Sequence, residues 1–275
     1  MRGDELAPYL DGDRLWGDDF DDAGLAAWYR DEKEGYAARG ARDRSQYRYG
    51  YHALNERLGY QHLPPGPYGD VLGLGSAYGD EFLPIARSIQ RLTIVEPSAA
   101  LRADQVGGVP VRYVEPGVRG RLPLPSNAFD VATCFDVLHH IPNVSEVVDE
   151  LARCLRPGGY LLLREPIVSM GDWRGPRRGL TPRERGIPLE LLRGIVRESG
   201  LQVRAETLYG FPLTSRVVRV LGIDAPYAHD MAVAADVAVS RLFRWNINYH
   251  PRRTYQRFRP TSVFHVLVKG ACSGS

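Results

Sequence analysis

The stretch Asp70-Val-Leu-Gly-Leu-Gly-Ser-Ala-Tyr-Gly79 constrains this chain more than any other. An apolar strand runs into a small-residue turn and then a helix start. Such a turn lets a ligand lie close against backbone N–H groups, where larger side chains would block the approach. Leu92-Thr-Ile-Val-Glu96 then reads as a second buried strand closed by a carboxylate, 21 residues after Gly75. A carboxylate at the tip of a second strand is well placed to accept from both hydroxyls of an adenosine ribose.

Alternation of strand and helix continues downstream. Strands are predicted at 70–74, 92–95, 109–114, 129–135, 160–164, 201–207 and 263–268. Helices are predicted at 80–89, from Pro97 and Ser98 onward, at 144–155 (stopped by Arg156-Pro-Gly-Gly159) and at 188–199. Parallel strands joined by helices give an α/β sheet covered on both faces, with ligands at the carboxyl ends of its strands. The chain divides into an arm with helices over 1–66, a core over 67–207, an inserted cap over 208–261, and a last strand with its tail over 262–275. Residues 1–22 read as irregular, and 25–39 and 43–58 as helices, the second carrying Tyr47, Tyr49, Tyr51 and His52. The cap includes an apolar helical stretch at 231–243 and the run Trp245-Asn-Ile-Asn-Tyr-His250. Excursions of this length near strand ends build lids and substrate walls.

Composition narrows the class. With 44% hydrophobic and 25% charged residues in 275, the chain is globular. No apolar run approaches the ~20 residues that span a bilayer. Asp4, Glu5, Asp11 and Asp13 make the start acidic, which argues against a leader peptide and for a cytoplasmic setting. Cys134, Cys154 and Cys272 show no metal or redox spacing, and no metal site is expected, although separated ligands can converge in a fold. The net charge of +2 conceals two arginine-rich stretches, Arg174, Arg177, Arg178, Arg183 and Arg185, then Arg252, Arg253, Arg257 and Arg259. They are either solvated loops or an anion site. No nucleic-acid-binding motif accompanies them.

Three phrases are more specific than the glycine loop: Leu122-Pro-Leu-Pro-Ser-Asn-Ala-Phe-Asp130, Val137-Leu-His-His-Ile-Pro-Asn143 and Leu155-Arg-Pro-Gly-Gly-Tyr-Leu161. In this order they make residues 68–207 resemble the class I S-adenosylmethionine-dependent methyltransferases. The resemblance implies a Rossmann-like seven-stranded sheet with an antiparallel last strand and S-adenosyl-L-methionine as cofactor. It implies cofactor contacts at Gly73, Gly75, Ser76, Ala77 and Gly79, at Glu96, Pro97 and Ser98, at Phe135 and Asp136, and at Tyr51 from the preceding helix. Two positions depart from the family pattern. Gly73 stands where an acidic residue normally holds the cofactor's amino group, with Asp80 and Asp136 as candidate substitutes, and Ala77 replaces the middle glycine. Relatives also place an Asp before the Leu-Pro phrase, where this chain has Glu115-Pro-Gly-Val-Arg-Gly-Arg121 and offers backbone groups at 116–118 for the adenine instead. A nicotinamide-type loop fits less well, because its third glycine would come one position earlier.

Methyl transfer is a direct displacement, so the protein must align nucleophile, methyl and sulfur and exclude water. A hydroxyl acceptor benefits from a base. His139 and His140, after the fourth strand, are the candidates, and each has the alternative of merely shaping the pocket. Glu165 is the third, with a loop or cap contact before Pro166 as its simpler role. Tyr47 and Tyr51, one turn apart on the predicted helix, either close over the cofactor or pack on the sheet.

The flanks Ile167-Val-Ser-Met-Gly-Asp-Trp-Arg174, Gly179-Leu-Thr-Pro-Arg-Glu-Arg-Gly-Ile-Pro188 and Arg259-Pro-Thr-Ser-Val-Phe264 resemble methyltransferases of bacterial polysaccharide or glycan assembly. That implies O-methylation of a sugar or similar small polar acceptor, with Arg178 and Arg183 binding its phosphates. A natural-product enzyme acting on an aromatic or amine acceptor, a catalytically silent cofactor-binding module, and an enzyme using the sulfonium only as a fixed charge are the alternatives.

Overall fold

The computed structural model of the protein describes residues 3–38, 44–45, 47–171, 173, 177, 179–220 and 222–270. The apolar runs form one mixed sheet of β1 (Tyr68–Leu74), β2 (Ile89–Val95), β3 (Gln105–Val106), β4 (Val109–Val114), β5 (Phe129–Phe135), β6 (Leu155–Pro166), β7 (Leu201–Tyr209) and β8 (Ser262–Lys269). They lie in the order β3-β4-β2-β1-β5-β6-β8-β7. From β4 to β6 neighbours are parallel, whereas β8 runs antiparallel to both β6 and β7. All seven expected strands are present. The eighth, β3, has two residues and folds back on β4 through Gly107 and Gly108, both at positive φ. β5 is buried at every position, as a central strand with both edges paired and both faces covered must be.

Among the described residues seven α-helices frame this sheet: α1 (Gly3–Asp11), α2 (Asp22–Ala38), α3 (His52–Leu58), α4 (Val144–Cys154), α5 (Leu189–Glu198), α6 (Pro212–Val220) and α7 (Asp230–Leu242). α4 buries Val144, Val147, Val148 and Leu151, the three-and-four spacing of one helix face, in the cluster that also holds Leu192 and Val196 of α5. α3 and α7 cover the opposite face, where Leu54, Leu58 and Val233 meet Phe135, Leu162 and Phe264. The strand order turns back at β1, between β2 and β5, so the carboxyl ends of these strands open a crevice.

Several sequence expectations are corrected. Within the stretch read as irregular, residues 3–22 are ordered by packing: α1 lies here, and Leu6, Tyr9 and Trp16 join Trp28, Trp173 and Tyr249 in one cluster. The helix expected over 43–58 is confined to α3. Tyr47, Tyr49 and Tyr51 precede it in irregular chain, so Tyr47 and Tyr51 are not one helical turn apart. Their rings pack on other aromatics, and this tertiary contact overrides the helical reading. Residues Asp80–Ser88 form 3-10 turns instead of an α-helix, with Pro84 in their middle. After Pro97 and Ser98 only a 3-10 turn forms, Ala99–Leu101. β6 begins at Leu155, directly after α4, so Arg156-Pro-Gly-Gly159 belongs to the strand.

Candidate active site

The loop after β1 turns because its glycines adopt left-handed conformations that other residues disfavour. Gly75 has φ 64° and Gly79 φ 77°. A Cβ at Gly75 would sit 2.6 Å from a methyl of Val137. Three of the loop's N–H groups are used internally: Gly75 donates to the Val95 carbonyl, Gly79 to that of Ser76, and Ala77 to the Glu96 carboxylate. The loop therefore offers close backbone approach more than a row of unspent donors. Glu96 follows β2 directly and is only 5% exposed. Its two oxygens accept from Ala77 N at 3.2 Å and Ser98 N at 3.0 Å. Burial raises its pKa against the opposing pull of those two N–H groups. Gly75, Ser76, Ala77, Gly79, Glu96, Pro97 and Ser98 thus meet at one edge of the sheet, above the tips of β1 and β2. Gly73 lies just below, within β1.

The structure also accounts for the missing loop acid. A Cβ at Gly73 would stand 2.3 Å from Ser76 Oγ. That hydroxyl donates to Glu81 Oε1 at 3.0 Å, and Thr133 Oγ1 donates to the same oxygen at 2.5 Å. Glu81 is buried, and burial lifts its carboxyl to about 7 despite these two donors. Sequence reasoning missed it; the adjacent Asp80-Glu81 pair read as a helix's first turn. Asp80, the expected substitute, takes both Arg44 Nη groups at 2.8 and 2.7 Å. The Arg44 guanidinium also lies over Tyr78, whose ring meets Tyr47 edge-on.

A second feature lies at the tip of β5. Asp136 holds φ 57°, a left-handed backbone that side chains disfavour and that is enriched at functional sites. Its Oδ2 accepts from Arg164 Nη2 at 2.7 Å. Arg164 is 2% exposed, donates to Asn55 Oδ1 at 2.8 Å, and lies 4.2 Å from the Tyr51 ring centre and 5.1 Å from that of Phe135. The cation on the face of Tyr51 is thus the chain's own guanidinium. Beyond Asp136 opens a cavity of about 290 Å³ lined by Tyr51, Tyr209, Phe211, Tyr227, Ser215 and Thr261 among others. Tyr51 and Tyr227 stack at 5.6 Å, and Tyr209 meets Tyr227 edge-on. Asp236 of α7 fixes the rim by accepting from Gly210 N and Phe211 N at 2.6 and 3.0 Å.

The two histidines sit elsewhere, in a covered cluster. Glu165 is fully buried and accepts from the N–H groups of Val137, Leu138 and His139 as well as from His139 Nδ1, at 2.9 Å. It ties down the turn after β5. His140 Nδ1 meets Glu32 Oε2 of α2 at 2.9 Å, and His139 Nε2 faces Glu184 Oε1 at 3.8 Å. Burial works against a proton on His139, but the hydrogen bond and charge of Glu165 outweigh it and raise its pKa. For His140, burial and the neighbouring His139 charge prevail over Glu32 and lower it. Arg185 seals the turn: fully buried, it donates to the carbonyls of Trp16, Leu138, Ile141 and Pro142. Neither histidine lines the tyrosine cavity.

Arg183 pairs with Asp31 at 2.8 Å, its guanidinium over the rings of Trp16 and Trp28. It does not line the cavity, and Arg178 lies outside the described residues, as do Arg174 and Cys272. Cys134 and Cys154 are buried free thiols. Among the described residues no helix is long and apolar enough to cross a membrane.

Comparison with known proteins fits this geometry. Residues 72–163 match the family model described as a methyltransferase domain. The chain is 30% identical over 197 residues to a ubiquinone biosynthesis O-methyltransferase of Cronobacter sakazakii, covering 64% of this chain and 81% of that protein. It is 29% identical to a probable S-adenosylmethionine-dependent methyltransferase of Mycolicibacterium smegmatis, over 62% of this chain and 71% of the relative. A solved S-adenosylmethionine-dependent methyltransferase from Mesorhizobium loti superposes with a TM-score of 0.53 at 14% identity, covering 79% of this chain and 98% of that one. The cyclase SpnF does so with a TM-score of 0.51 at 19% identity, over 79% and 80%. The two structural likenesses show the fold alone. The identity sustained across four-fifths of the Cronobacter enzyme, together with the family match over the glycine loop and both central strands, places this chain among the class I S-adenosylmethionine-dependent methyltransferases.

Proposed function

We propose that this enzyme methylates a hydroxyl on a small, ring-bearing acceptor held in the tyrosine cavity beside Asp136. The observation that carries this reading is that Asp136 and Tyr51, both expected at the cofactor, also line the cavity. Three tyrosines and Phe211 give it ring-sized aromatic walls, with Ser215, Thr261 and Ser262 as polar contacts. No arginine is among the described residues that line it, and its aromatic walls favour a ring over the sugar phosphate that the flanking sequence suggested. The O-methyltransferase named among the relatives acts in ubiquinone biosynthesis and supports oxygen as the acceptor atom.

In this reading the backbone of 75–79 and residues Pro97 and Ser98 bound the cofactor crevice, Glu96 accepts from the ribose hydroxyls, and Asp136 orients the methionine end. The fit rests on the tight turn that Gly75 and Gly79 permit, where a Cβ would strike Val137 or Val106 and Ile94, and on a buried carboxylate at the crevice lip. When bound, S-adenosylmethionine supplies an activated methyl group with a neutral thioether as leaving group. The chain's own residues position the acceptor and keep water out. Arg164 holds Asp136, the stacked Tyr51 and Tyr227 wall one side of the cavity, and Asp236 fixes the rim. A panel of hydroxylated aromatic acids, ring diols and sugar nucleotides, incubated with labelled cofactor, tests the proposal. Label in the aromatic or diol products is expected; label confined to sugar nucleotides would overturn it.

A further inference from the structure

We propose that His139, His140 and Glu184 bind a divalent transition-metal ion of the zinc class. One ligand atom from each of the three residues lies within 4.8 Å of the others. Two imidazoles and a carboxylate form a ligand set that zinc-class ions favour over magnesium or calcium, which prefer oxygen alone.

Two further observations point to an ion. The first is the outer layer. Metal-bound imidazoles almost always give their second nitrogen to a carboxylate or carbonyl, which fixes the ring and raises its basicity. Both histidines have such a partner: His139 Nδ1 meets Glu165 at 2.9 Å and His140 Nδ1 meets Glu32 at 2.9 Å. The carboxylates are held in turn. Thr181 donates through Oγ1 to Glu32 at 2.7 Å and through its N–H to Glu184 at 2.9 Å. The second is charge. Glu32, Glu165 and Glu184 are at most 6% exposed. The buried cation beside them, Arg185, spends its donors on carbonyl oxygens. Three buried carboxylates grouped around two imidazoles are a setting that a divalent ion would stabilise.

The site joins three segments that meet only in the fold: α2 through Glu32, the turn after β5 through both histidines, and residues 181–184. Such closed placement suits a structural ion that pins the N-terminal layer over the sheet. The proposal departs from the sequence expectation of no metal, because Glu184 follows His140 by 44 residues and no spacing announces it. It does not rest on the proposed acceptor.

The test uses the full chain, stripped with a chelator and titrated with Co²⁺, then Zn²⁺. One equivalent should bind, with the visible absorption of low-coordinate cobalt and no thiolate charge-transfer band, and Zn²⁺ should displace it and raise the melting temperature. Glu184→Gln should weaken binding at least 100-fold, and Glu32→Gln, which removes only an outer partner, about 10- to 100-fold. Stripped wild type that takes up no cobalt, or uptake unchanged by Glu184→Gln, would overturn the proposal. Should the variants fail to fold, the wild-type titration still decides. Calorimetry with S-adenosylhomocysteine on the stripped protein reads the cofactor crevice separately.

Discussion

Asp136 and Arg164 meet at 2.7 Å across the tips of β5 and β6, joining a strained backbone to a guanidinium sealed beneath Tyr51. The pair stands where the proposed cofactor crevice and acceptor cavity adjoin. Arg164 also donates to Asn55, whose amide donates to the Tyr49 hydroxyl at 2.6 Å, so α3 and the chain before it are tied to the same point.

Replacing Arg164 by Met should therefore cost about 3 kcal/mol of stability, within the range for breaking a buried ion pair. Urea denaturation measures this. A midpoint equal to that of wild type would mean that the guanidinium only fills space.

Glu81 makes stability pH-dependent. Its carboxyl sits near 7 in the fold against 4.5 when unperturbed, because burial penalises the charge. Between those values the folded state binds more protons than the unfolded chain, so this contribution is complete on the acid side and is lost as pH rises toward 7. Thermal unfolding from pH 4.5 to 8 should show wild type losing a few kcal/mol at most relative to Glu81→Gln. Parallel profiles for the two proteins would contradict the assignment.

Tyr227 lines the cavity and packs against Tyr51 and Tyr209. Tyr227→Ala should raise the KM for an accepted acceptor tenfold or more and leave S-adenosylhomocysteine affinity within about twofold. Steady-state kinetics beside calorimetric titration separates the two. Equal losses for both ligands would move the acceptor out of this cavity.

Arg183 and Asp31, both partly exposed, pair with each other, and the guanidinium lies over the buried rings of Trp16 and Trp28. Arg183→Ala should cost about 1 kcal/mol of stability and leave acceptor KM unchanged. A selective loss of acceptor affinity would restore the phosphate-binding role that its place in an arginine-rich stretch suggested.

The legible parts of the sequence were those governed by local rules. Seven apolar runs found their strands, and the loop from Gly75 to Gly79 and the carboxylate at Glu96 fell at one edge, because strand alternation and glycine turns are encoded within a few residues. Long-range contacts were not legible. The Tyr47–Tyr51 segment carries a helical composition, but its rings find Tyr78 and Tyr227 far along the chain and hold it out of helix. Glu81 fell unremarked within the helix expected over 80–89, and only the return of β5 brings Thr133 against it. The arm over 1–22 looked irregular because its partners, Trp173 and Tyr249, lie in the later excursions. His139 and His140 were legible as a pair, yet the carboxylates around them come from α2, β6 and a loop.

The central claim is that the adenosine of the cofactor docks above the tips of β1 and β2 with its ribose on Glu96. A crystal structure with S-adenosylhomocysteine tests it most directly. The account predicts both ribose hydroxyls within hydrogen-bonding distance of the Glu96 carboxylate and the homocysteine sulfur directed toward Asp136 and the tyrosine cavity. A nucleoside bound elsewhere, with Glu96 still closed on Ala77 and Ser98 and touching no ligand, would contradict it.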